Sequence, residues 1–295
     1  MSANSHQLWA EIDLSAIAHN IHALKALLPA GTSLLAAVKA NAYGHGAVEV
    51  ARTALTSGAG YLGVARPAEG IALRQAGIGA PILIFGYSPP EMAAELSDHG
   101  LEQCLYDVDT ARAVSDRLLG TGHTLPVHLK VDTGMGRLGI PCPEPAAAAG
   151  CVDLVHKISA LPGISLKGLF SHFATADSRD KAFARRQFHR FEACIAALDA
   201  HGLRPPLCHM ANSGAIIDLP ATHLDMVRAG ISVYGLYPSD EVDQRAVELR
   251  PALSLKARVI HVKTVPAGTP ISYGCTWRSE GEATIATVPI GYADG

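Results

Sequence analysis

The chain has 295 residues, 48% of them hydrophobic, and its 24 lysines and arginines against 27 acidic residues give a net charge of −3. This composition supports a large buried core and excludes an intrinsically disordered protein. Because neither a basic stripe nor an apolar run of membrane-spanning length is present, we expect no nucleic-acid partner and no membrane segment.

The N-terminal sequence gives no indication of export. Residues 1–7 lack the charged region and apolar run of a secretory signal, and the six cysteines show no CxxC spacing. We therefore expect a cytoplasmic protein with reduced, mostly buried thiols and no metal site.

The first predicted elements are an apolar segment at Leu8–Ile12 and an amphipathic helix. The apolar face of the helix consists of Ile17, Ile21, Leu24 and Leu28. Asp13 or Ser15 can cap its N-terminus.

Eight short apolar runs then alternate with alanine-rich segments of helical periodicity, such as residues 49–55, 110–119 and 181–201. The runs cover residues 34–40, 61–65, 81–85, 102–106, 126–132, 165–171, 207–212 and 225–234. This alternation predicts an α/β protein, most economically a (β/α)8 TIM barrel over residues 12–240. A doubly wound open sheet is the alternative, but it normally has a glycine-rich dinucleotide turn, which we do not find.

The pattern changes after Tyr237. Residues 253–265 and 283–290 alternate or are β-branched, with turn sequences at 266–268 and at Gly281. Residues 241–295, together with 1–11, are therefore predicted to form a partial, mostly β C-terminal domain.

Reactive side chains fall at the C-terminal ends of the predicted strands, where barrel enzymes build their active sites. Lys39 ends the first strand, residues 132–137 follow the fifth, and His172 ends the sixth. Asn212 ends the seventh, and Arg228 lies in the eighth. Burial would lower the pKa of Lys39 and let it form a Schiff base or carry a proton. A lysine with its head in water is the alternative.

Alternation along the fifth strand places His128, Lys130 and Asp132 on the face toward the barrel interior. Lys130 would then be a buried cation close to Arg137, and two unpaired cations in a dry interior are costly. Asp132, deprotonation of Lys130, or a covalent change of its charge must compensate.

The loops after the seventh and eighth strands are the usual phosphate site of this fold. Ser213–Gly214 and Gly230–Ile231 offer a hydroxyl and backbone N–H groups there. A phosphate site beside a strand-end lysine suggests Schiff-base chemistry, with pyridoxal phosphate as one candidate cofactor. A class I-type aldolase acting on a sugar phosphate fits the same facts.

Seven segments, in order, resemble the motifs of the alanine racemase family, and the resemblance extends from about Trp9 to the last residue. The segments are Val38–Gly46, His128–Gly139, Ser171–Ala174, Ala211–Ser213, Val227–Ile231, Ile271–Gly274 and Pro289–Gly295. The resemblance implies that Lys39 holds pyridoxal 5'-phosphate covalently and then acts as the base on one face of the substrate Cα. Tyr273 resembles the opposite-face base, which in this family comes from the partner subunit of a head-to-tail homodimer.

The resemblance implies further contacts with the cofactor and substrate. The phosphate would be held by Tyr43, Asn212, Ser213, Gly230 and Ile231. Arg137 would contact the phenolic oxygen of the cofactor and the substrate carboxylate, and His172 would stack on the pyridine ring. Lys130 resembles a lysine that is carbamylated in many members.

Arg228, supported by His209, would face the pyridine nitrogen of the cofactor. A guanidinium does not give up its proton, so this nitrogen would stay unprotonated and act as a weaker electron sink. We expect this arrangement to suppress transamination.

The implied function is the interconversion of L-alanine and D-alanine by a two-base mechanism, which supplies D-alanine for peptidoglycan. Two alternatives remain open: a racemase of other or broader specificity, such as serine or lysine, and a non-catalytic barrel that binds pyridoxal phosphate. Tyr273 argues against the second, although it could be an ordinary cross-strand aromatic. Likewise, His172 could be a core histidine, and Asn212 with Ser213 a helix N-cap.

Relative to the family pattern, the chain is expected to be C-terminally truncated. The missing part would include a Met-Asp pair and a late tyrosine that binds the phosphate. From this we expect these residues alone to be poorly soluble or weakly active.

Overall fold

A computed structural model describes residues 7–294 and divides the chain into two compact units. Residues 14–252 form the larger unit, and the residues before Leu14 and from Leu253 onward form the smaller one. Residues 1–6, part of the segment predicted to lack an export signal, and Gly295, the end of the last family motif, lie outside the described residues.

Strands and helices alternate over most of the larger unit, whereas the smaller unit contains β1 and β11 to β15. In chain order, the strands of both units are β1 (Leu8–Ile12), β2 (Ser33–Ala37), β3 (Tyr61–Val64), β4 (Ile82–Ile84), β5 (Glu102–Leu105), β6 (Leu125–Asp132), β7 (Ile140–Pro141), β8 (Ile164–Phe170), β9 (Leu207–His209), β10 (Met226–Ala229), β11 (Leu253–Ala257), β12 (His261–Val265), β13 (Pro270–Ile271), β14 (Trp277–Arg278) and β15 (Ala283–Thr287). The helices are α1 (Leu14–Ala26), α2 (Lys39–Tyr43), α3 (Ala47–Thr56), α4 (Pro67–Gln75), α5 (Ala93–Asp98), α6 (Val108–Leu118), α7 (Ala148–Ser159), α8 (Ala182–Ala200) and α9 (Ser213–Asp218).

Eight parallel strands close into a barrel, as predicted. Around the ring they follow the order β2, β3, β4, β5, β6, β8, β9 and β10, and β10 pairs with β2 to complete the closure. The two-residue strand β7 adds to β6 outside this ring. The C-terminal ends of the eight strands therefore meet at one rim, where a barrel places its active site.

The main apolar core lies between strands and helices. On β6, Val127, Leu129 and Val131 are fully buried in this core, whereas the alternate residues His128 and Lys130 are buried elsewhere. This alternation is the one that the sequence predicted. Inside the barrel there is only a small second apolar cluster, formed by Leu35, Leu83 and Met226 with Tyr61 and Phe85 packed against it.

Three barrel strands end at least three residues earlier than predicted. The first ends at Ala37 rather than Ala40, because positive φ angles from Ala40 onward cannot continue a ladder. The seventh ends at His209. The eighth ends at Ala229, since Gly230 turns the chain (φ −106°, ψ −103°) into a 3₁₀ turn over Ile231–Tyr234.

The smaller unit is built of short antiparallel pairs. β1 pairs with β11, β12 with β15, and β13 with β14. This confirms the mostly β character predicted for the C-terminal domain. Within the described residues 7–294, no helix combines the length and apolarity that crossing a membrane requires.

Candidate active site

A cavity of about 360 Å³ opens at the C-terminal rim of the barrel. Most of the predicted site residues line it: Lys39, Tyr43, Lys130, Arg137, His172, Asn212, Ser213, Arg228, Gly230 and Ile231. Four of its lining side chains are lysines or arginines, against the single carboxylate of Asp177. Such a cavity attracts a ligand that carries several negative charges.

The turn that carries Lys39 is left-handed. Ala40, Asn41, Ala42 and Tyr43 all have φ between 51° and 53°, a conformation that costs L-residues about 1–2 kcal/mol each. Two hydrogen bonds brace the turn: Ala40 N–H donates to Glu69 Oε1 at 2.6 Å, and Ala47 N–H donates to Asn41 Oδ1 at 2.9 Å. Backbone strain of this kind persists where the surroundings enforce it, as they do at functional sites.

The sequence predicted that Lys39 ends a strand. In the structure it is instead the first residue of this turn. Burial, and then the positive charge of Arg137, lower the pKa of its amine, while Glu69 partly opposes them. The amine lies 5.8 Å from the centre of the Tyr43 ring. These surroundings favour a neutral, nucleophilic amine.

Ser213 stands opposite Lys39's turn in the same cavity. Its hydroxyl oxygen accepts hydrogen bonds from the N–H of Gly230 at 3.0 Å and of Ser232 at 3.3 Å, so its own proton remains to donate. A Cβ on Gly230 would lie 3.3 Å from the Tyr43 hydroxyl, which is tighter than most such contacts. The bare backbone at Gly230 therefore leaves room for a ligand beside two hydroxyls.

Asn212 lies before α9 and caps it. Its side-chain oxygen accepts from the N–H of Ala215 at 3.1 Å. The capping role that the sequence allowed is therefore confirmed, and the residue still borders the cavity.

Arg228 is fixed by protein acceptors on both terminal nitrogens. Nη1 donates to His209 Nδ1 at 2.8 Å and to the His209 carbonyl at 3.1 Å. Nη2 contacts His172 Nδ1 and the carbonyls of Ser171 and Met210 within 3.0 Å. Burial lowers the pKa of Arg228 to about 9, which leaves it protonated at neutral pH. Within residues 7–294, only its Nε–H has no acceptor, and that group is left for a ligand in the cavity.

His172 is neutral. Burial and then the charges of Arg228 and Arg137 lower its pKa well below the ordinary value. Its Nδ1 accepts from Arg228, so its proton resides on Nε2.

Lys130 is 4% exposed, and its amine lies 5.6 Å from the Phe170 ring centre. Burial lowers its pKa; the Cys104 thiol opposes this, and Arg137 and Arg228 add to it. Among the described residues Asp132 forms no ion pair with Lys130, and of the neighbouring charges it has the smallest effect on the pKa of that amine, which it raises. One of its oxygens instead accepts three backbone N–H groups from residues 134–136 and shapes the turn that carries Arg137. Deprotonation or covalent modification therefore remains the main way to relieve the charge on Lys130.

Tyr273 belongs to the smaller unit. It begins a 3₁₀ turn outside the β13–β14 pair, and its side chain is 86% exposed. The structure therefore does not support the alternative of an ordinary cross-strand aromatic.

Sequence reasoning missed two features. Glu102 and His128 form a buried hydrogen-bonded pair inside the barrel. The one sequence signal for this pair is the charge of Glu102 within a predicted apolar strand. Three scattered cysteines, Cys142, Cys151 and Cys194, also converge, with sulfur atoms within 4.8 Å of one another. All three are buried, as expected, and their clustering gives them the capacity to bind a soft metal ion.

Comparison with known proteins identifies the family of the chain. The family described as "Alanine racemase, N-terminal domain" matches residues 12–238, and "Alanine racemase, C-terminal domain" matches residues 252–295. The alanine racemase of Desulfosudis oleivorans is 50% identical over 295 residues, covering 99% of this chain and 76% of that protein.

Solved structures give the same result. Alanine racemase of Clostridium difficile 630 superposes with a TM-score of 0.89 at 41% identity, covering 98% of this chain and 74% of that one. A histidine racemase from Leuconostoc mesenteroides superposes with a TM-score of 0.86 at 30% identity, covering 100% of this chain and 77% of that one.

Proposed function

The chain belongs to the alanine racemase family and is an amino-acid racemase, and on that premise we propose that it interconverts L-alanine and D-alanine by a two-base mechanism with pyridoxal 5'-phosphate. The observation that carries the proposal is the half-buried amine of Lys39 in a cavity lined by Arg228, Arg137 and Lys130.

The residues of the cavity fit this cofactor. Its phosphate matches the hydroxyls of Ser213 and Tyr43 beside the bare backbone of Gly230. Its ring nitrogen matches the one N–H of Arg228 that lacks a protein acceptor. Its aldehyde matches the amine of Lys39, whose pKa is lowered. When bound, the cofactor supplies the electron sink that acidifies the Cα proton of an amino acid.

Two groups of this chain would move the proton. Lys39, whose pKa is lowered by burial and by Arg137, would take or return it on one face of Cα. Tyr273 serves the opposite face as the residue contributed by a partner subunit in a head-to-tail homodimer. Its 86% exposure leaves the phenol available to a second chain.

The remaining cations bind and orient. Arg137 would hold the substrate carboxylate, a planar group that a guanidinium can bind through two parallel hydrogen bonds. A carbamate on Lys130 would replace a buried positive charge with a negative one beside Arg137. His172 stays neutral and presents its ring to the cavity.

We also propose that the product D-alanine serves peptidoglycan synthesis in the cytoplasm. A second candidate is a racemase of another amino acid, since a histidine racemase shares the fold at 30% identity. Serine and lysine racemases belong to the same alternative. The cavity of about 360 Å³ favours a small substrate once the cofactor is in place.

Borohydride reduction of the cofactor-loaded protein, followed by peptide mapping, tests the covalent site. We expect the pyridoxyl label on the peptide that contains Lys39, and no label there in Lys39→Arg. A label on another lysine would contradict the proposal. Lys130→Arg is the matched control, because it retains a cation at the other buried lysine of the cavity.

Incubation with L-alanine in D2O tests the chemistry. We expect Cα deuteration together with D-alanine. Deuterated L-alanine without inversion would indicate one working base, and neither signal with cofactor bound would favour a non-catalytic binding protein. Parallel incubations with L-serine, L-lysine and L-histidine would identify the second candidate.

A further inference from the structure

A continuous line of hydrogen bonds runs from the cavity into the barrel interior. Arg228 Nη1 contacts His209 Nδ1 at 2.8 Å, and His209 Nε2 contacts His128 Nδ1 at 2.9 Å. His128 Nε2 then contacts Glu102 Oε2 at 2.9 Å. The two histidines are fully buried, and Arg228 and Glu102 are 5% and 8% exposed.

Only one arrangement of protons satisfies every contact in this line. Arg228 can only donate, so His209 Nδ1 must accept, and the proton of His209 is on Nε2. His209 Nε2–H must then donate to His128 Nδ1. The proton of His128 is consequently on Nε2, and it donates to Glu102 Oε2. Both histidines are neutral, in agreement with the burial and Arg228 charge that lower the pKa of His209.

The residues around the line leave it no room to rearrange. A Cβ at Gly168 would lie 2.2 Å from His128 Nδ1, so only glycine fits beside that ring. The Phe170 ring stacks on His209 with centroids 5.0 Å apart and an interplanar angle of 5°. The guanidinium of Arg228 lies 5.2 Å from the centre of the same phenyl ring.

The two ends of the line fix its direction. A guanidinium is a donor only and an ionised carboxylate is an acceptor only, so the imidazoles between them have a single polarity. Glu102 also places a negative charge behind a cavity lined by four lysines and arginines. The negative charge of Glu102 also acts on Tyr61, because burial and then Glu102 raise the pKa of that phenol.

We propose that Glu102 and His128 are positioning residues for the racemase reaction, which hold His209 with its lone pair toward Arg228 and so keep the guanidinium turned with Nε–H toward the cofactor site. This inference rests on the proposed function. Neither residue lines the cavity, and their hydrogen-bonded connection to Arg228 runs through His209.

The first test uses the wild-type protein and does not depend on racemase activity. In ¹⁵N-histidine-labelled wild type, long-range ¹H–¹⁵N correlations should show His128 and His209 neutral and protonated on Nε2 only. A doubly protonated His128, or a proton on Nδ1 of either ring, would overturn the proposal, whether or not the protein racemises alanine.

The second test is Glu102→Gln, since a carboxamide both donates and accepts and no longer sets the direction. We expect the His128 nitrogen shifts to show a second tautomer that is partly populated, because Arg228 alone then sets the direction of the line. With cofactor loaded, kcat for L-alanine should fall about tenfold while KM changes little, which corresponds to ~1.4 kcal/mol lost in the transition state.

Tyr61→Phe is the matched control. It removes the phenol that contacts the other Glu102 oxygen at 3.4 Å and leaves the His128 bond intact. Wild-type tautomers and kcat are expected for it. If Glu102→Gln folds with an unchanged melting temperature and its kcat equals that of the control, the positioning role is refuted. If wild type itself lacks racemase activity, the proposed function fails, and the NMR result still decides the proton arrangement.

Discussion

The ability of Lys39 to act depends on the charges that surround it. Arg137 lowers the pKa of its amine, second only to burial. Removing that positive charge in Arg137→Gln should raise the pKa, so a higher pH would be needed to expose the neutral amine. The pH dependence of Lys39 modification by an amine-reactive reagent, followed by mass spectrometry of the cofactor-free protein, measures this directly.

Arg112→Gln is a suitable control, because it removes an exposed arginine on α6. Its Lys39 titration should match wild type. A midpoint in Arg137→Gln that equals this control, or lies below it, would contradict the electrostatic assignment.

Arg228 is expected to limit side reactions. In Arg228→Glu, a carboxyl group can share a proton with the cofactor nitrogen, which strengthens the electron sink. We expect more pyruvate from alanine per racemisation event. Arg228→Lys keeps a donor-only cation and should stay near the wild-type ratio. Equal pyruvate yields from the two variants would refute the explanation.

At the level of single residues, the sequence predicted much of the cavity lining, because polar residues at the strand ends of a barrel converge on one rim. It did not predict the pairing of Glu102 with His128. Glu102 opens an apolar run, and nothing in the run shows that its side chain faces inward to an imidazole from β6.

Among the elements, the left-handed turn after β2 stores strain at Ala40, which is exposed and has a φ of 51°. Ala40→Gly removes the steric penalty of about 1–2 kcal/mol and costs about 0.4–1 kcal/mol in unfolded-state entropy. We expect a net gain of up to about 1.6 kcal/mol in the free energy of unfolding, measured by urea denaturation.

Ala196→Gly provides the comparison, since Ala196 is exposed in the interior of α8. There glycine should destabilise by about 0.5–1 kcal/mol. The two substitutions are chemically identical, but they should change the free energy of unfolding in opposite directions. A loss of stability in both would mean that the turn is not strained.

Element boundaries were predicted least well where the backbone is unusual. Alternating apolar residues located all eight barrel strands. The end of the first strand was placed too late, because alanine, asparagine and tyrosine rarely adopt positive φ in succession and no propensity indicates such a turn. The eighth strand was extended through Ile231–Tyr234, whose apolar side chains are equally compatible with the 3₁₀ turn that forms.

For the whole molecule, the distribution of apolar surface is uneven. Most of the exposed large hydrophobic side chains of the described chain lie beyond residue 252, among them Leu255, Val262, Tyr273 and Trp277. Exposed apolar surface of this kind is typical of a protein that associates with another chain.

Mixing two inactive variants tests whether subunits share their sites. Lys39→Ala and Tyr273→Phe should each abolish racemisation. If each site combines Lys39 of one chain with Tyr273 of another, heterodimers contain one intact site, and activity should return after the variants are mixed and re-equilibrated. Each variant re-equilibrated alone is the control. No recovery, despite heterodimers detected by mass spectrometry, would contradict a shared site.

The polar line through the barrel constrains how this protein can change. Most residues inside a barrel can be exchanged one at a time for another of similar volume. Here, loss of either imidazole would leave the buried donor or acceptor on each side of it without a hydrogen-bond partner. Each such group lowers the free energy of unfolding by about 1–3 kcal/mol. His128 and His209 are therefore expected to be inherited or redesigned together, so a search for natural variants of this barrel should find the two imidazoles replaced as a pair.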